Sequence, residues 1–234
     1  IKIMSVVLLV LALNEIDGMK KIMPKVETEY VDRVIIVDGG STDGTIEESK
    51  KMGFEVIVQK KKGHGIGFQM GVNASKEDYI IMWGPDGNFE PEEIPKYAKL
   101  AKEGYYDQVI VSRFAKNSIN EDAVGVKGKL IDYFGNKMFT FLTNIFFGGH
   151  LTDSLNGSRM ISRKALDDIN FNDEGNNFAD VTQMTARSLK LRHKICNIDG
   201  NEGVRVGGVR KMRPLHVGAT LSWEIIKNFI FWKV

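Results

Sequence analysis

The stretch Val34-Ile35-Ile36-Val37-Asp38-Gly39-Gly40-Ser41-Thr42-Asp43-Gly44-Thr45 constrains this chain more than any other. Four β-branched residues in a row, closed by an acid and two glycines, are the pattern of a strand buried on both faces that ends in a tight turn. Gly39 and Gly40 can take positive φ or let another group approach the backbone. Ser41 or Thr42 can cap a helix over about 45–52, with Asp43 favoured by the positive helix end. Ligands of an open α/β sheet gather outside the carboxyl ends of its strands, which is where this pattern puts Asp38. Its carboxylate could there accept hydrogen bonds from a base or ribose, or merely hold the turn; spacing alone permits both.

The same rhythm continues along the chain. Residues 6–13 read as a first buried strand, followed by Asn14-Glu15 and a helix ending near Pro24. Further strands are expected at 54–58, 79–83, 109–111, 160–161 and 194–198. Helices are expected from the Gly63 turn to about Ala74, after Pro91 (with the proline in the first turn), over 130–147 with an interruption at Gly135, and over 178–191. This alternation predicts an α/β fold, a mostly parallel, doubly wound sheet flanked by helices. With 234 residues, one domain over 1–215 with an appended amphipathic helix over 216–234 is the economical partition. Residues 5–13 are too short to span a bilayer. The polar segment 116–129 reads as a mobile loop.

Charge and cysteine usage narrow the partners. A formal charge of +2 gives no electrostatic case for nucleic acid. The single Cys196 leaves no intramolecular disulfide and fits a reducing compartment. No His or Cys spacing suggests zinc, and His64 and His150 read as surface or packing residues.

Several segments can carry chemistry. Lys60-Lys61-Lys62-Gly63-His64-Gly65-Ile66-Gly67 is a basic, glycine-rich turn into a helix, suited to a phosphate. Gly84-Pro85-Asp86-Gly87-Asn88 sets a second acid at a strand's carboxyl end. Ser112-Arg113 closes the fifth strand, and Asp153-Ser154-Leu155-Asn156-Gly157-Ser158-Arg159 forms a polar turn. Asp180 and Arg159 suit a buried pair as readily as a site. The basic loop 202–213, with Arg205, Arg210 and Lys211, suits a pyrophosphate. Residues 130–147, apolar and aromatic, fit a core helix or the wall of an apolar groove. Residues 221–234, with leucine, tryptophan, isoleucine, phenylalanine and two lysines, fit an interface-seeking helix, the start of a membrane segment or a terminal helix docked on the core.

In this order the pieces resemble the family 2 glycosyltransferases of the GT-A fold, in particular the branch that includes dolichyl-phosphate mannose synthase. Leu13-Asn14-Glu15 looks like that family's opening nucleotide motif. Val37 to Thr45 is nearly its signature, with Gly39 where an acid is usual, and Gly63-His64-Gly65 with Gly71 matches its helix start. The resemblance implies inverting transfer of a hexose from a nucleotide-sugar, of GDP-mannose or UDP-glucose type, to a polyprenyl or dolichyl phosphate at the cytoplasmic membrane face. It implies nucleotide contacts from Leu13, Asn14, Glu15, Asp38, Gly39, Gly63, Gly65 and Pro85. Phosphate contacts would come from Lys127, Lys129, Arg205, Arg210 and Lys211, and Mg²⁺ or Mn²⁺ would sit on Asp86 and Asn88. Asp86, Asp153 and Arg113 would be catalytic, with Asp153 the general base should the acceptor be a hydroxyl. The chain departs from the family at Gly84, where the first acid of its Asp-x-Asp metal motif is missing. That leaves three expectations: a weaker metal site, charge neutralised by the basic loops instead, or a sugar-nucleotide binder without turnover. Transfer to a soluble or glycan acceptor is the other reading of the same motifs.

Overall fold

Strands β1 (Val6–Ala12), β2 (Arg33–Asp38), β3 (Glu55–Val58) and β4 (Tyr79–Trp83) run parallel in the order β3-β2-β1-β4. They are joined by α1 (Ile16–Lys21), α2 (Thr45–Lys51) and α3 (His64–Ala74). The computed structural model describes residues 3–114, 127–172, 179–207 and 214–233, with backbone alone for 127–132 and 214–216. The order follows from composition. Successive side chains of a strand point to opposite faces, and β1 and β4 are apolar at nearly every position, so both faces must be covered. Val6, Leu8, Val10, Ile81 and Trp83 pack with Met19, Ile94 and Tyr97 on one side. Val7, Leu9, Ile80 and Met82 pack with Phe68, Val181 and Met184 on the other.

After β4, α4 (Glu93–Glu103) leads to β5 (Gln108–Ser112), which lies not beside β4 but two places away. The strand between them is β6 (Arg159–Ser162), antiparallel to both. β7 (Ile195–Asp199) then pairs in parallel with β5 and completes a seven-stranded sheet. Helices α5 (Lys127–Phe147), α6 (Arg163–Asp168), α7 (Ala179–Lys190) and α8 (Pro214–Ile226), the last extended by a π-helical turn at Lys227–Phe231, belong to this second half.

Four local expectations are corrected. Gly135 does not interrupt α5, which is unbroken and starts at Lys127, so 127–129 are helix and not loop; 115–126 lie outside the described residues. Helix α2 has Gly44 at its N-cap, at φ 97°, and neither Ser41 nor Thr42 caps it. Instead Asp43 accepts the Thr45 N–H (3.0 Å) and hydroxyl (2.5 Å), and its other oxygen accepts the Ile16 N–H (3.1 Å). Pro91 precedes the N-cap Glu92, one position outside the helix it was expected to open. Lastly, α8 begins at Pro214 and docks Val217, Leu221 and Ile225 on Phe139, Phe147 and Ala186 of α5 and α7. The docked-helix alternative is therefore the one observed, yet the opposite side of this helix keeps Trp223, Ile226, Phe229, Ile230 and Phe231 exposed. Among the described residues no helix is long and apolar enough to cross a membrane.

Candidate functional site

The ends of β1, β2 and β4 meet at the carboxyl edge of the sheet because Ala12 is in register with Asp38 and Val10 with Trp83. Asn14 takes a left-handed backbone (φ 55°), which turns the chain after β1 across the β2 loop. Its N–H donates to Ser41 Oγ (2.7 Å), its Oδ1 accepts the Thr42 N–H (2.9 Å), and the Glu15 N–H donates to Thr45 Oγ1 (2.9 Å). Asp38 closes β2. Its carboxylate is fully buried: Oδ1 accepts the N–H groups of Gly40 (2.8 Å) and Ser41 (2.6 Å), and Oδ2 accepts the Ser41 hydroxyl (2.7 Å). An aspartate bonded to the backbone two and three residues on builds a turn, so Asp38 shapes this loop. Gly39 has Gln59 and Leu13 so near that a Cβ would stand 3.1 and 3.3 Å from them. Gln59 also donates to the Gly63 carbonyl (2.8 Å), so one side chain lies between Gly39 and the turn that carries Gly63 and buried Gly65.

At the end of β4, Pro85 is buried with its carbonyl against Gly18 of α1. Asp86 Oδ1 accepts the Asn88 N–H (3.0 Å), and Oδ2 meets Arg205 Nη2 at 2.7 Å. Arg205 Nη1 lies 3.2 Å from Glu15 Oε1, so one guanidinium joins the β1 and β4 ends. The strand-like segment 203–206 is laid along 86–88 by two backbone hydrogen bonds, Val206 N–H to Asp86 O (2.8 Å) and Gly203 N–H to Asn88 O (3.2 Å). Among the described residues no group of three or more His, Cys, Asp or Glu could hold a metal. Asn88 Oδ1, however, is a buried acceptor without a hydrogen-bond partner, on the residue whose N–H donates to the Asp86 carboxylate. One carboxylate and one amide oxygen fit a cation whose remaining ligands are phosphate oxygens and water, as Mg²⁺ commonly has. Packing does not forbid an acid at 84: a Cβ there would meet Leu11 O at 3.6 Å and Phe89 at 3.8 Å, ordinary contact distances.

The β5 and β6 ends supply the other wall. Asp153, expected as a base, is fully buried and holds Arg113, from Nε to Oδ2 at 2.7 Å and from Nη2 to Oδ1 at 3.2 Å. It also accepts the Leu155 N–H. A carboxylate enclosed in this way positions an arginine. Burial alone would lower the Arg113 pKa, but Asp153 and, at 3.7 Å, Glu202 raise it above the ordinary guanidinium range.

Behind this wall lies a polar layer, of which sequence reasoning singled out Arg159 and Asp180 and missed Glu93 and Tyr97. Glu93 and Tyr97 meet at Ser158, whose hydroxyl bonds the Glu93 carboxyl (2.5 Å) and lies 3.2 Å from the Tyr97 hydroxyl. Burial pushes Glu93 up to about 8. Fully buried Arg159 donates to the carbonyls of Asn156, Ser154 and Val181, and burial lowers it to about 10. Asp180 is also buried and takes His64 Nδ1 at 2.7 Å, so His64 is a partner of a buried acid rather than a plain surface residue. Burial would raise the Asp180 carboxyl, but His64 and then Arg159 bring it below its usual range. Glu93 reads as any first-turn acid, and the separation of 116 positions between His64 and Asp180 hides their contact; no local signal marks either. Lys127 and Lys129 start α5, their side chains outside the described residues, as are Arg210 and Lys211. A cavity of about 600 Å³ lined by Tyr30, Pro95, Lys96 and Lys99 contains no site residue.

Residues 10–170 match the model of glycosyl transferase family 2. The low-salt glycan biosynthesis hexosyltransferase Agl6 of Haloferax volcanii is 28% identical over 197 residues, 82% of this chain but 47% of that protein. The chain thus spans about half the length of that relative. A dolichyl-phosphate hexose transferase of the same organism is 27% identical over 194 residues, covering 83% of this chain and 79% of that one. Glucosyl-3-phosphoglycerate synthase from Mycobacterium tuberculosis, crystallised with Mn²⁺, UDP-glucose and glycerol 3-phosphate, superposes with a TM-score of 0.67 at 19% identity, over 96% of this chain and 78% of that one. That likeness bears out the expected GT-A fold. The family model covers most of the chain, including the Asn14, Asp38 and Asp86 loops, and the chain belongs to glycosyl transferase family 2.

Proposed function

We propose that this glycosyltransferase moves a hexose, with inversion, from a nucleoside-diphosphate sugar to a polyprenyl or dolichyl phosphate at the cytoplasmic face of a membrane. One observation carries the choice of acceptor. Phe134, Met138, Phe141 and Ile145 form an exposed stripe at helical spacing on α5, and the Phe146 and Phe229 rings, 5.1 Å apart, join it to the exposed Trp223, Ile226, Ile230 and Phe231. Large contiguous apolar surfaces mark contact with lipid or protein, and Lys137, Lys227 and Lys233 lie within the same segments. The relative named as a dolichyl-phosphate hexose transferase supports the same acceptor.

In this reading the Leu13-Asn14-Glu15 turn and the Gly39–Gly40 backbone receive the nucleoside, and Arg205 meets the diphosphate. Asp86 and Asn88 would hold Mg²⁺ or Mn²⁺, which when bound neutralises the charge that develops on the departing diphosphate. Arg113, held rigid by Asp153, faces the acceptor side. A phosphate acceptor is already an anion and asks for no general base, which agrees with the enclosed position of Asp153. A second reading, transfer to a small soluble phosphorylated acceptor, is favoured by the likeness to glucosyl-3-phosphoglycerate synthase.

Radiolabelled GDP-mannose and UDP-glucose, each offered with dolichyl phosphate in detergent or with 3-phosphoglycerate, test the two. Label from one donor should pass into the organic phase. Label confined to the water-soluble product would establish the second reading, and donor binding without any transfer would leave a binder without turnover.

A further inference from the structure

The place a divalent cation would take on Asp86 already holds a positive charge. Arg205 Nη2 stands 2.7 Å from Asp86 Oδ2, and Nη1 stands 3.2 Å from Glu15 Oε1. This is no loosely swinging side chain. Residues 203–206 are fastened to 86–88 by the two backbone hydrogen bonds described above. Residues 203–207 approach 86–88 and Asp17 of α1 so closely that glycine is needed at three points. A Cβ on Gly87 (φ 88°) would lie 2.6 Å from Val206 Cγ2, one on Gly203 2.5 Å from Gly87 O, and one on Gly207 2.8 Å from Asp17 Cβ. The strap is thus built to deliver the guanidinium to this spot.

We infer that Arg205 occupies the cation position between Glu15 and Asp86 until a nucleoside diphosphate draws it away, so that this chain takes up a divalent cation together with nucleotide and not before it. The inference rests on the reading of this edge as the donor site and adds the order in which its charges assemble. Two cations sharing one partly buried carboxylate repel each other, so Arg205 and a bare metal ion compete for Asp86. A diphosphate changes the balance. Its oxygens offer the guanidinium a bidentate partner as good as the carboxylates it leaves, and they complete the ligand set that Asp86 and Asn88 leave short. The missing acid at Gly84 makes the competition one-sided, since a lone aspartate cannot outbid a fixed arginine with a bare ion.

Mn²⁺ binding to the intact chain without nucleotide, read from the loss of the free-ion paramagnetic resonance signal, tests this directly. Arg205→Gln should bind Mn²⁺ about tenfold more tightly than the wild type, the factor of one released charge-assisted hydrogen bond. Arg205→Lys, which keeps the charge but cannot bridge both acids, should give a smaller gain and serves if the glutamine variant folds poorly. Adding Asp86→Asn to Arg205→Gln should abolish the gain. Equal affinity in the wild type and both single variants, or a gain that survives Asp86→Asn, would overturn the inference. Calorimetry of UDP and GDP on the wild type reads the donor assignment separately: no binding of either would sink that assignment, whatever Mn²⁺ does.

Discussion

Burial raises the Glu93 carboxyl to about 8 from an unfolded value near 4.5, and the linkage between protons and folding fixes the consequence. Between these values the folded chain keeps a proton that the unfolded chain gives up. The stabilisation from this group is therefore complete below about pH 4.5 and is lost as pH rises through 8. Glu93→Gln, which keeps a partner for the Ser158 hydroxyl, should flatten the fall in melting temperature between pH 5 and 8.5. The expected difference in slope amounts to a few degrees, at about 2–4 °C per kcal/mol for a domain of this size. Parallel slopes in wild type and variant would mean that Glu93 ionises freely. Residues such as Glu93 also mark where a sequence stops being readable. Asn14, Glu15, Asp38, Asp86, Asp153 and Arg113 all stand at the edge where spacing predicted them. Their roles did not follow, because a role depends on which carboxylates are enclosed. Asp38 and Asp153 are fully buried and hold, respectively, a loop and an arginine, whereas Asp86 remains partly open.

At the scale of elements the sequence was most legible where strands are continuously apolar. β4 matches its expected bounds, since burial on both faces leaves few alternatives, and β2 and the partly exposed edge strand β3 match theirs to within a residue. The direction of β6 was not legible. Its four residues read the same in either sense, and only its neighbours β4 and β5 decide. Nor was the start of α8 visible, since its apolar residues divide between a docked and an exposed side. Helix α3 illustrates how tightly the legible part is packed. Gly71 lies so close to the sheet that a Cβ would stand 2.8 Å from Leu9 Cδ1 and 3.0 Å from Val37 Cγ2. Gly71→Ala should therefore destabilise the chain by about 1–3 kcal/mol in urea unfolding, the usual cost of overpacking a filled core. A neutral or stabilising outcome, as expected from helix propensity alone, would show that α3 shifts freely on the sheet.

For the molecule as a whole, the exposed side of α5 and α8 sets an expectation about where the chain resides. Wild-type protein should sediment with vesicles that contain anionic lipid, less so as salt is raised, because lysines accompany the apolar side chains. Phe141→Ser combined with Ile230→Ser should reduce that sedimentation strongly and leave the melting temperature nearly unchanged, both side chains being exposed. Sedimentation equal to wild type would direct attention to a protein partner instead. The reversed strand gives the same molecule a seam. On the proposed reading β1 to β4 and their helices would carry the nucleotide side and β5, β7, α5 and α8 the acceptor side, and among the described residues the two halves of the sheet are sewn together through β6 alone, four residues long. A transferase has to bring two unlike substrates together and then part from two unlike products. Here the shortest stitching in the sheet lies between the half that would hold one and the half that would hold the other.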